Sequence, residues 1–231
     1  MIEVHAVARL DLRLEPGGWA FAEAERQRIS QHWLGIAAKK PRIWNGKVLI
    51  CTSAHVVEEQ LSARFAVSDY ASFVAWRDWG WPDATARNCF GVGVLVSADG
   101  ALLYGIMADT TLNAGRSFPP SGSLEPSDVL GDGTVDILGS MRRELMEETG
   151  LDLAAARAGE TTAIFDGRRL AVVRAAHSPE TYEALAARAA RHIAAETHPE
   201  LERVEAIRRL ADIGPRMPPY AQEIARRLLP R

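Results

Sequence analysis

Two pairs of strand-like runs bracket one amphipathic helical stretch, and that order limits how this chain can fold. The first pair, NCFGVGVLVSADGALLYGIM from Asn88, turns at Asp99-Gly100, and the second, TTAIFDGRRLAVVRAAH from Thr161, turns at Asp166-Gly167. Asp-Gly is a strong tight-turn signal because both positions tolerate positive φ. Between the pairs, residues 136–149 follow a helical period behind a loop rich in Gly, Pro, Ser and Asp, GRSFPPSGSLEPSDVLGDGTV. Strand pairs with a helix between them predict layers of sheet and helix, an α/β (α+β) chain.

The flanking segments extend this core. HAVARLDLRLEP from His5 reads as strand, and PRIWNGKVLIC from Pro41 as a hairpin turned at Asn45-Gly46. LSARFAVSDYASFVAWRDWG reads as a strand and then a helix, capped by Ser68 or Asp69 and ended at Gly80. Ser178-Pro179 and Thr197-His198-Pro199 are helix starts, so the tail reads as helical, with a break at Gly214-Pro215 and a last helix in PPYAQEIARRLL. The expected organisation is an N-terminal strand-and-helix extension or subdomain over 1–86, a core over 87–175 and a helical segment packed on the core over 176–231.

Composition narrows the function classes. The 231 residues are 47% apolar and 25% charged, enough for a sizeable core. A net charge of −3 gives no general attraction for a nucleic acid polymer or an anionic membrane. An anionic ligand would need local cations or a metal. Cys51 and Cys89 sit in apolar runs and read as buried thiols. The first residues carry early acids and no long apolar run, so a cytoplasmic location is expected.

The helix carries the chemistry. Glu144, Glu147 and Glu148 lie beside the apolar stripe Leu138, Met141 and Leu145, within an arc of about 100°. Asp136 is a suitable N-cap and Gly150 a suitable left-handed C-terminal residue. Like charges three and four apart repel, and these also sit at the helix end that disfavours anions. A hard divalent cation would reverse that balance. On composition alone a solvated face and a cation platform are both open.

Residues 143–151, Arg-Glu-Leu-Met-Glu-Glu-Thr-Gly-Leu, resemble the second half of the Nudix box. The family pattern is glycine, five residues, glutamate, seven residues, then Arg-Glu-apolar-any-Glu-Glu-any-Gly-apolar. Gly122 followed after five residues by Asp128 resembles the first half, with Asp where the family has Glu. Fourteen residues rather than seven separate Asp128 from Arg143, so VLGDGTV or its neighbourhood reads as an insertion. Glu125 is the other acid able to fill the Asp128 role.

The resemblance implies a Nudix-like α/β/α sandwich with a mixed sheet, cleaving the diphosphate of a nucleoside diphosphate linked to another group. It implies Mg²⁺ (or Mn²⁺) on Glu144, Glu147, Glu148 and Asp128, with Glu144, Glu148 and Arg143 catalytic; Glu144 is a ligand or the base, and Arg143 orients a glutamate. Gly122 is expected to approach the substrate through its backbone, and Arg116 is the expected phosphate contact. The alternative is a Nudix-fold nucleotide-binding or regulatory module without catalysis. The substrate could equally be a sugar-nucleotide, a dinucleotide or a coenzyme A derivative. A homodimer through the tail and the tryptophans is compatible with this.

Other residues have plainer readings. Trp76, Trp79 and Trp81 could stack a base, but packing is the commoner use. Asp166 reads as an ordinary Asp-Gly turn and Arg87 as a surface arginine. Arg216 and Tyr220 read as part of the segment that docks the last helix.

Overall fold

A computed structural model describes residues 1–40 and 43–230. In chain order, strands β1 (Ile2–Val7) and β2 (Arg9–Gly18) precede helices α1 (Ala20–Ala24) and α2 (Arg26–Lys39). Strands β3 (Lys47–Val57) and β4 (Gln60–Asp69) follow, then helix α3 (Tyr70–Asp78). Next come strands β5 (Asn88–Val96), β6 (Leu102–Met107) and β7 (Ser117–Phe118), and helix α4 (Ile137–Thr149). Strands β8 (Arg157–Asp166) and β9 (Arg169–His177), helix α5 (Tyr182–Ala195), strand β10 (Leu201–Ile207) and helix α6 (Pro219–Leu228) complete the fold.

Seven strands form one sheet, ordered β1-β8-β9-β5-β6-β10 with β7 also on β6. It is mixed: β5 and β9 run parallel, and the other pairs are antiparallel. Strand β5 pairs with β6 only at Val96 and Leu102, and β7 pairs with β6 further along, at Gly105 and Ile106. A second sheet, β2-β4-β3, is built wholly from residues 9–69.

Successive β5 side chains point to opposite faces. Phe90, Val92, Val94 and Val96 pack towards α6, in a core with Tyr220, Ala221, Ile224 and Ala225. Cys89 and Leu95 face the other core, which includes Met141 and Leu145 of α4 and Leu185 of α5. Leu12, Leu49, Leu61 and Phe65 of the small sheet join that same core. The opposite side of the small sheet, at Val48 and Ile50, is covered by Trp19, by Trp33 and Ile36 of α2 and by Phe73 and Trp76 of α3. No helix of the described residues is long and apolar enough to cross a membrane.

Two expectations are corrected. Residues 43–46 are not a strand, and Pro41 and Arg42 lie outside the described residues, so the hairpin expected at Asn45-Gly46 is replaced. Strand β3 instead turns into β4 at Glu58-Glu59, both at positive φ (48° and 59°). Asn45 serves α3, its Oδ1 accepting from the Ala71 amide at 2.8 Å. The second correction concerns the tail, where residues 201–207 are strand rather than helix. Backbone pairing with β6 outweighs the helix-compatible charge spacing of LERVEAI.

Helix α4 begins and ends as its sequence predicts. The Asp136 carboxylate accepts from the Gly139 amide at 2.9 Å, and Gly150 closes the helix at φ 66°. Two glycines of β5 let α4 lie close to the sheet. A Cβ on Gly91 would stand 2.7 Å from Met141 Cγ and 2.8 Å from the Ile137 carbonyl oxygen, and one on Gly93 would crowd Leu153. Gly91→Val should therefore lower stability by about 1–3 kcal/mol, the usual cost of overpacking. A urea midpoint unchanged from wild type would show that the helix can move away at no cost.

Candidate active site

The C-terminal half of α4 faces the loop that leaves β7. Glu148 is buried, at 8% exposure, despite its charge. Its Oε1 accepts from the Ser121 amide at 3.1 Å, while Oε2 is buried with no hydrogen-bond partner among the described residues. Burial pushes its pKa well above the usual carboxylate range, and Glu144, Glu200 and Glu147 add to the rise. Glu144 lies against Gly122: any Cβ there would overlap its carboxylate. Gly122 thus makes room for Glu144.

Arg143 binds this group together. Its Nη2 donates to both Asp128 oxygens at 3.2 and 3.1 Å. Its Nη1 meets Glu144 Oε1 at 2.6 Å and Glu147 Oε2 at 3.3 Å. Burial opposes the Arg143 charge, but Glu144, Asp128 and Glu147 more than restore it. Asp128 is buried and also accepts from the Glu125 amide at 2.8 Å. Its carboxylate thus bonds both Arg143 and a backbone N–H. Glu125 precedes the short 3₁₀ turn Pro126–Asp128, and the Asp128 amide donates to its carbonyl at 2.9 Å.

The inserted residues form a small turn. The Leu130 amide donates to the Thr134 carbonyl at 2.8 Å and the Gly133 amide to the Leu130 carbonyl at 2.9 Å. An isolated bridge joins Val129 to Val135, and the Asp136 amide donates to the Asp128 carbonyl at 2.8 Å. The extra length is thus absorbed as a loop, and Asp128 returns to Arg143.

Other candidates fall at the rim or outside the site. Arg116 is exposed, just before β7. Burial raises the pKa of the Tyr220 hydroxyl; Arg169, Ser121 and Arg116 oppose the rise and Glu148 adds to it, so these groups share one neighbourhood. The Tyr220 ring packs between Phe90 and Phe118, and Arg216 pairs with Glu205 at 3.1 Å, as expected of a docking segment. Trp76 is fully buried against Trp19 and Trp81, and Trp79 lies under Arg28 at 4.5 Å. Arg87 lies over Phe165 and donates to the Gly167 carbonyl. Asp166 sits in its turn, with Oδ2 buried and Arg169 at 3.9 Å.

The sequence reading missed Glu200. It precedes β10, and its charge acts on both Glu144 and Glu148. Although solvent reaches the residue, protein packed around its carboxyl raises its pKa, and Glu147 and Glu196 raise it further. Pairing of the segment after Pro199 with β6 would have exposed it earlier.

Among the described residues, no three His, Cys, Asp or Glu side chains are already gathered as a metal cage. The donor chemistry nevertheless fits a hard cation: four glutamates in electrostatic range, one with an unpartnered buried oxygen.

No family model matches the chain, and no curated protein matches it. Solved structures do. A MutT NUDIX hydrolase from Burkholderia pseudomallei is 19% identical with a TM-score of 0.38, over 62% of this chain and 98% of that one. The MutT protein from Methanosarcina mazei Go1 is 15% identical, TM-score 0.40, over 62% and 92%. A bifunctional NMN adenylyltransferase/ADP ribose pyrophosphatase from Francisella tularensis is 18% identical, TM-score 0.42, over 68% and 44%. The chain is similar to Nudix hydrolases.

Burial also sets a pH dependence. Glu144 is raised from 4.5 to about 7, chiefly by burial, so the folded chain holds its proton more tightly than the unfolded chain does. Stability without divalent cations should fall as pH rises from about 4.5 to about 7, and Glu144→Gln should flatten the slope. Urea unfolding across that window checks this; equal slopes in both proteins would contradict the burial of Glu144.

Proposed function

We propose that the chain is a metal-dependent Nudix pyrophosphohydrolase that cleaves the diphosphate of a nucleoside diphosphate linked to another group. The observation that carries the reading is Glu148: a buried carboxylate with one unpartnered oxygen, beside Glu144, on a helix resembling the second half of the Nudix box. A helix end whose acidic side chains outnumber the single arginine that pairs with them would be a poor solution for stability alone.

Glu148 and Glu144 would hold Mg²⁺ or Mn²⁺, with Glu147 and Glu200 at the open side. A cation there would neutralise diphosphate charge and acidify a water. The chain's own residues do the rest. Glu144 either holds the cation or, standing free of it, takes the proton of the acidified water. Arg143 orients Glu144 and Glu147, and Asp128 fixes Arg143 in turn. Arg116 approaches from the β7 side, where it would meet a phosphate.

The feature favouring a binding module without catalysis is the seven extra residues between the two halves of the box. The 3.1 Å Asp128–Arg143 contact weighs against it, because the halves meet despite the added length.

The test is phosphate-coupled turnover of a panel of nucleoside diphosphate conjugates with Mg²⁺ and Mn²⁺, beside Glu148→Gln. The variant should fold normally and lose more than the about 10- to 100-fold typical of a lost supporting group. Wild-type turnover in Glu148→Gln would remove Glu148 from the chemistry. Silence of the wild type, with cation binding seen by calorimetry, would favour the module.

A further inference from the structure

We propose that β2 of the small sheet is a positioning element for the acidic helix, acting through the inserted turn on Asp128 and so on Arg143. This rests on the Nudix reading only for its effect on turnover; the coupling itself is a property of the chain.

The contacts run in one line. The Val135 amide donates to the Leu12 carbonyl at 2.9 Å, and the Leu14 amide to the Gly133 carbonyl at 2.9 Å. Arg13, between them, forms a bridge with Thr134; its Nη1 donates to Thr134 Oγ1 at 2.8 Å and to Asp132 Oδ2 at 3.3 Å. Strand β2 has β4 on its other side, so residues 133–135 occupy what would otherwise be a bare sheet edge. A second tie holds the start of the same loop, where the Leu49 amide of β3 donates to the Leu124 carbonyl at 2.8 Å.

Between these ties lie Glu125 and Asp128, joined to each other and to Asp136, the cap of α4. Leu12, Leu49, Leu124, Val135 and Met141 share one buried core, so the ties are anchored at both ends. A longer loop closes less readily on its own. Docking on β2 removes that freedom and returns Asp128 to Arg143. The insertion is thus a strut, and residues 9–69 complete the site without touching a substrate.

Leu14→Pro tests this, because proline removes the one N–H that reaches Gly133 while Arg13, on the alternate side, keeps its pairing to β4. Amide exchange reports the turn, and NMR of the Arg143 guanidinium protons reports the site, in the protein without metal or substrate. We expect faster exchange at Gly133 and Val135, loss of protected Arg143 protons, and intact β3–β4 amides. On an active wild type, kcat should fall about tenfold with KM within about twofold, as for a lost outer support. Arg9→Ala, on the same strand but bonded to Gln60 and the Glu58 carbonyl, should change none of these.

The proposal is overturned if the turn loosens in Leu14→Pro while Arg143 protection and kcat stay at wild-type values. Should Leu14→Pro not fold, the Arg13→Ala, Asp132→Ala pair carries the same test through the same protons. An inactive wild type would count against the hydrolase reading, while the Arg143 protons would still decide the coupling.

Discussion

One guanidinium, shared among Asp128, Glu144 and Glu147, sets the shape of the acidic helix end. Partly buried carboxylates this close would otherwise repel and tilt apart. Arg143 supplies a planar fork that addresses separate oxygens at once, which a lysine would not do. Its reach is uneven, and this matters. Glu148, itself buried, takes its hydrogen bond from the Ser121 amide rather than from Arg143. One guanidinium thus answers three carboxyl groups and leaves Glu148 out, and that shortfall lies at the loop between β7 and α4.

Close approach of helix to sheet makes that shortfall permanent. Gly91 and Gly93 admit the α4 backbone to β5, and Met141 and Leu145 fill the gap. On the same helix Leu145 is fully buried, and Glu148 is buried three residues on. Packing elsewhere thus holds a carboxyl group in a setting that disfavours its charge, a frequent arrangement where a site must be ready before its ligand arrives.

Much of this was legible in the sequence, for particular reasons. The span of α4 could be read because both ends carry residues with strong local preferences, Asp136 and Gly150. The turns at Asp99-Gly100 and Asp166-Gly167 were legible likewise, and both glycines have positive φ. The Glu58-Glu59 turn was not, because glutamate has no preference for that backbone and the strands on either side impose it. Strand β10 was hidden by charges spaced as on a helix; only pairing with β6 decides it. Distance in sequence hid Glu200, and it also hid the link from Arg13 to Asp132. The Asp128–Arg143 pair lay between these cases: the residues could be named, but their meeting depends on how the insertion folds.

The position of β1 has a consequence for how the molecule is made. It sits at the edge of the large sheet against β8, pairing Ile2 with Asp166 and Val7 with Thr161. During synthesis β1 emerges well before its partner, which is not made until residues 157–166. Strands β2, β3 and β4 find each other within 69 residues and can form a sheet long before then. Pairings so far apart in sequence are slow to close. The small sheet, already assembled behind β1, would tether the waiting strand until β8 is available.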